Sequence, residues 1–166
     1  NTAKEINKDG PLIGIYASAY GNVRHWGFWQ TAEWYELISK MRKATGATFV
    51  FIGAEYDLDL GYLLYQMCLT EGIPAVDAIG KLHIGATVEL IRQLDYFFSF
   101  PSGLGFLADV VNTPHVMWFP AHLQSMTRMF PVPANLESGQ TQHRIFETPE
   151  QSYQNFLQVG MKFLEN

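Results

Sequence analysis

The feature that most constrains this chain is a repeated alternation of short apolar runs with longer segments of helical periodicity. Leu12–Tyr16, Thr48–Ile52, Tyr96–Phe100 and His115–Trp118 read as strands, with Ala75–Ile79 as a weaker one. Short runs that stay apolar, rather than alternating apolar with polar, suit strands buried on both faces. Thr31–Ala44 carries Trp34, Leu37, Ile38 and Met41 at three- and four-residue spacing. That is an amphipathic helix, which Thr31 can cap and Gly46 can end. Asp57–Leu69 reads as a second helix, punctuated by Gly72 and Pro74; Thr87–Gln93 and Gly103–Val111 follow as a third and a fourth. Pro120 to Gly139 reads as irregular, and Thr148-Pro149-Glu150-Gln151 is a capping-box pattern that predicts a last helix to about Leu164. Strand and helix thus alternate about five times. The pattern predicts an α/β fold: a doubly wound, mostly parallel open sheet, Rossmann-like, with helices on both faces.

The length of 166 residues suits one domain with a sizeable core, and 48% hydrophobic residues exclude disorder. A formal net charge of −5 argues against nucleic acid as a partner, which would call for a basic stripe. A small anion stays open, because backbone N–H groups hold one without net positive charge. Cys68 is the single cysteine, so no internal disulfide forms. No apolar run is long enough for a membrane span. Residues 1–10 are polar, without the apolar core of a signal peptide, and read as a linker remnant. Residues 11–166 read as a single domain of a longer chain.

Ligands of such sheets sit outside the carboxyl ends of the strands, so the loops that follow strands are the candidate sites. Ala17-Ser18-Ala19-Tyr20-Gly21-Asn22-Val23-Arg24-His25-Trp26 follows the first strand. Arg24 there is either a phosphate clamp, by two parallel hydrogen bonds, or an ordinary solvated arginine. Gly53-Ala54-Glu55-Tyr56-Asp57 follows the second strand. A carboxylate here either accepts from ribose hydroxyls or complements a helix dipole, and Asp57 fits the dipole reading better than Glu55 does. Phe100-Pro101-Ser102-Gly103-Leu104-Gly105-Phe106 joins a strand to a helix. Ser102 can cap that helix, and the free N–H groups at its start make an anion site.

Together these segments resemble the C-terminal nucleotide-sugar-binding domain of the heptosyltransferase family, two-domain glycosyltransferases of the GT-B fold. The resembling stretches are Arg24-His25-Trp26, Gly53-Ala54-Glu55, Ile79-Gly80-Lys81 leading to Glu89-Leu90, Pro101-Ser102-Gly103-Leu104-Gly105-Phe106-Leu107-Ala108, and Asn112-Thr113-Pro114 leading into His115–Phe119 and Pro120. Order and spacing from about Leu12 to Pro120 carry the resemblance. It implies that Ser18 and Arg24 contact a donor's phosphates, that Glu55 binds the ribose, and that Ser102 and Gly103 cradle the pyrophosphate. It implies a nucleotide diphosphate sugar as donor and no cofactor. It implies a surface-polysaccharide or lipopolysaccharide acceptor, with the acceptor site and the base supplied by a missing N-terminal domain of the same chain. It places the protein in the cytoplasm, at the inner face of the membrane through its acceptor. The family's signature loop has aspartate where this chain has Pro101 and histidine where it has Phe106. Neither side chain here can hydrogen-bond a phosphate or a sugar hydroxyl, so a non-catalytic GT-B-like scaffold domain stands as the alternative function.

Other residues read as structural. The histidines, His25, His83, His115, His122 and His143, show no ligand spacing to one another, to Cys68 or to a carboxylate, so no metal site is expected. Cys68 lies on an apolar helix face and reads as a buried, inert core residue. Ser102 is not set in a nucleophile-elbow motif. Among Trp26, Phe28, Trp29 and Trp34, packing of the first helix on the sheet is favoured over a stacking surface for a base or sugar.

Overall fold

The computed structural model describes residues 10–17, 31–55, 58–100, 102–120 and 142–147. Among these described residues there are six strands: β1 (Leu12–Tyr16), β2 (Thr48–Phe51), β3 (Ala75–Asp77), β4 (Tyr96–Ser99), β5 (His115–Pro120) and β6 (Gln142–Glu147). Between them lie α1 (Thr31–Thr45), α2 (Leu58–Thr70), α3 (Ile84–Gln93) and α4 (Gly103–Val110). All strand pairs are parallel, in the order β3-β2-β1-β4-β5-β6. This is the doubly wound sheet expected from the alternation.

The strand side chains sort by period two into two cores. Ile13, Ile15, Phe49, Phe51 and Phe98 point to one face, where Trp34, Leu37, Ile38 and Met41 of α1 and Leu64 and Cys68 of α2 cover them. Leu12, Tyr16, Val50, Ile52 and Phe97 point to the other, where Ile91 of α3 and Ala108 of α4 pack. Trp34 is fully buried, its ring edge-on to Phe100 at 5.6 Å. It therefore serves the packing of the first helix, as favoured above; Trp26, Phe28 and Trp29 lie outside the described residues. Each strand of two-sided burial removes apolar surface from water on both faces, worth about 25 cal/mol per Å².

Helix ends follow local chemistry. Gly46, at φ 73°, stops α1, and its N–H donates to the Arg42 carbonyl at 2.8 Å. α3 begins at Ile84, three residues before the expected Thr87, because His83 caps it: Nδ1 accepts from the Ala86 N–H at 3.3 Å. Histidine is outside the usual set of capping residues, so residue type alone does not mark this helix start. β3 ends at Asp77 rather than Ile79, since Asp77 Oδ1 accepts from the Ile79 N–H at 3.0 Å and turns the chain.

The larger correction is β6. Gln142-His143-Arg144-Ile145-Phe146-Glu147 has no continuous apolar run, and no strand was expected there. It pairs with all six residues of β5, so the neighbouring strand, not local propensity, sets its conformation. β5 itself runs on to Pro120, past the expected Trp118. The expected last helix from Thr148 lies outside the described residues. Among the described residues, no helix is long and apolar enough to cross a membrane.

Cys68 is fully buried in the α2 core, and that burial pushes its thiol up to about 12. Thiolate is the reactive form. A thiol reagent at about pH 8 should label the native protein more than about a hundredfold more slowly than the urea-unfolded chain. Equal rates would place Cys68 at the surface.

Candidate functional site

The strand order turns back between β1 and β4, and a crevice opens there at the carboxyl ends of the strands. A cleft of about 480 Å³ occupies this position. Tyr16 at the end of β1 and Gly53 and Ala54 after β2 form its floor; Leu82, Ile84 and Thr87 at the start of α3 form one wall. Ser102, Gly103, Leu104 and Leu107 at the start of α4 form the other. Two helix N-termini therefore converge on one cavity, each bringing its unpaired N–H groups and the positive end of its dipole.

Ser102 caps α4 as expected. Its Oγ accepts from the Gly105 N–H at 3.2 Å, with the backbone extended at φ −163°. Gly103 is the first residue of α4, and a Cβ there would meet no atom within 4 Å. That face is open to whatever enters the cleft. Both belong to the cleft wall, so the structure brings these two expected site residues together.

Glu55 lies one residue beyond the cleft floor and is exposed. Its turn is docked on the loop after β3: the Gly80 N–H donates to the Gly53 carbonyl at 2.9 Å. A Cβ on Gly80 would stand 3.0 Å from Glu55 Cα, and Gly80 has φ 66°. Glycine is therefore required there twice, for the left-handed turn and for the close approach. The other acid at a strand end, Asp77, is already engaged by the Ile79 N–H and by Lys81 Nζ at 2.6 Å. That hydrogen bond raises the Lys81 ammonium above the ordinary lysine value. Ser18, Arg24, Pro101 and Asp57 lie outside the described residues.

The sequence reading missed the apolar outer edge of the cleft. Leu82 and Ile84 are 42% and 67% exposed, unusual for leucine and isoleucine. They sit before the expected start of the helix, where no periodicity could mark them. Among the described residues, no cluster of three or more His, Cys, Asp and Glu could hold a metal ion.

A doubly wound parallel sheet with a cleft at its reversal point and capped helix N-termini beside it defines a Rossmann-like class of α/β domain, with its candidate site at the carboxyl ends of the strands. The sequence profile of glycosyltransferase family 9 (heptosyltransferase) matches residues 1–159, and the chain belongs to that family. Among solved structures, ADP-heptose LPS heptosyltransferase II of E. coli is similar, with TM-score 0.70 and 17% identity over 97% of this chain and 50% of that one. A family 9 glycosyl transferase of Veillonella parvula gives TM-score 0.64 and 15% identity, covering 99% of this chain and 41% of that one. E. coli heptosyltransferase WaaC, solved with ADP-2-deoxy-2-fluoro heptose, gives TM-score 0.65 and 15% identity over 96% and 44%. This chain thus spans about half the length of these structures. A search of curated proteins finds no match.

Two substitutions test the framing of the cleft. Ser102→Ala should lower stability by about 1 kcal/mol through loss of the cap. Gly80→Ala should cost about 1–2 kcal/mol from the left-handed backbone alone. Urea denaturation reads both, and no loss in Gly80→Ala would mean that the turn under Glu55 is not held as described.

Proposed function

We propose that this chain is the donor-binding half of a glycosyltransferase, holding a nucleoside diphosphate sugar in the cleft between α3 and α4. The observation that carries the reading is the open N-terminal face of α4. Gly103 leaves room for a ligand against the backbone, beside N–H groups suited to a diphosphate. Membership of family 9 supports it, as does the ADP-sugar analogue with which the similar WaaC structure was solved.

In this reading, Ser102 and Gly103 cradle the pyrophosphate, Glu55 binds the ribose, and Ser18 and Arg24 reach the phosphates. The donor is used when an acceptor hydroxyl attacks the anomeric carbon and the nucleoside diphosphate leaves. Helix N-termini and Arg24 stabilise the charge that develops on the leaving group. The acceptor, a surface-polysaccharide or lipopolysaccharide one, and the base come from an N-terminal domain. Working at the inner face of the membrane follows from such an acceptor. A second reading, a GT-B-like scaffold that no longer uses a donor, is favoured by one observation. The described residues that line the cleft include no charged side chain.

Calorimetric titration with ADP, GDP, UDP and their sugar conjugates separates the two. Donor binding predicts saturable binding of one nucleotide, weakened about tenfold by Glu55→Ala. Gly103→Val should keep stability within about 1 kcal/mol yet weaken binding by about tenfold or more. Binding of none of them favours the scaffold. In the full-length transferase, Arg24→Ala should lower activity; equal activity would remove Arg24 from the site.

A further inference from the structure

α4 has a second anchor at its other end. Asp109, in its last turn, faces His115 at the start of β5, and their side chains are only 2% and 1% exposed. His115 Nε2 lies 2.8 Å from Asp109 Oδ1, and Nδ1 lies 2.8 Å from the Thr113 carbonyl oxygen. A carbonyl oxygen only accepts, so Nδ1 must donate. A neutral ring with its proton on Nδ1 would leave Nε2 without a proton 2.8 Å from a carboxylate oxygen. The geometry therefore calls for a second proton, between Nε2 and Oδ1.

The surroundings give the pair mechanical weight. A carboxylate in the last turn of a helix faces the negative end of the dipole, and the His115 ring is set against Asp109 at that end. No other residue of α4 is charged. The following turn is tied down as well: the Thr113 N–H donates to the Ala108 carbonyl at 3.0 Å, and Thr113 Oγ1 to the Ile91 carbonyl at 2.8 Å. In mid-helix, a Cβ on Gly105 would stand 2.6 Å from Met117 Cε and 2.9 Å from Ser99 Oγ. An eight-residue helix is about 12 Å long and moves as one rod.

We infer that Asp109 and His115 are positioning residues: a buried imidazolium–carboxylate pair that pins α4 to β5 and so sets where the α4 N-terminus meets the cleft. The link to a ligand rests on the donor reading above. The positioning itself is read without any ligand, so failure of the donor site leaves it standing.

The test uses the full chain with ¹⁵N-labelled histidine. Long-range ¹H–¹⁵N correlation at about neutral pH should show both His115 ring nitrogens protonated; one bare nitrogen overturns the pair. His115→Leu removes the imidazole partner of a buried carboxylate. Amide exchange at Gly105 and Phe106, at the cleft end of α4, should then rise by about tenfold or more. Exchange there equal to wild type overturns the positioning role. Asp109→Asn keeps the test open should His115→Leu fail to fold. Its amide N–H can donate to Nε2 of a now-neutral ring, so exchange at Gly105 and Phe106 should stay at the wild-type rate. Faster exchange in that variant overturns the inference.

Discussion

The molecule depends on the two-sided burial of β1. Its five residues are all buried, its edges are hydrogen-bonded to β2 and β4, and its side chains feed two separate cores. A parallel strand placed so must have helices on both faces, because each crossover carries the chain over the sheet before the next strand can be laid down. Right-handed crossovers then put α1 and α2 on one face and α3 and α4 on the other. The crossover from β3 to β4 reverses the direction of growth beside β1. The cleft is the gap left by that reversal, so its position follows from the same constraint that builds the core.

Polar groups within this frame divide into those spent on the fold and those that face solvent at or beside the cleft. Asp95 Oδ2 accepts from the Leu12 N–H at 2.7 Å and fastens the start of β1. Asp77 shapes the turn after β3 and holds Lys81. Thr113 and the Asp109–His115 pair fix the base of α4. Buried polar atoms are costly unless they are paired; Asp95, Asp77 and Thr113 are hydrogen-bonded, and Asp109 Oδ1 has the His115 ring at 2.8 Å. Glu55 and the open face of Gly103 are different, since both lie at or beside the cleft with solvent before them. Two acids at neighbouring strand ends thus differ: Asp77 is held by the Ile79 N–H and Lys81, while Glu55 is exposed.

The sequence by itself determined the fold class, the covering of both sheet faces by helices and the five strands that alternate with helices along the chain. Continuous apolar runs and three-to-four spacing are local records of burial, and burial on two faces leaves few topologies open. It also marked Ser102 as a cap, Gly46 as a stop and Cys68 as core, because cap chemistry, left-handed turns and helix faces are set within a few residues. Only the tertiary structure decided the rest. β6 is a strand because β5 offers its edge, and α3 starts early because a histidine ring happens to reach the Ala86 N–H. Asp109 and His115, six positions apart and with no shared local pattern, meet because α4 folds back against β5. Leu82 and Ile84 edge the cleft because the reversal of the sheet turns them there. Each of these depends on a partner distant in sequence or on a side-chain direction, and neither is written in the spacing of apolar residues.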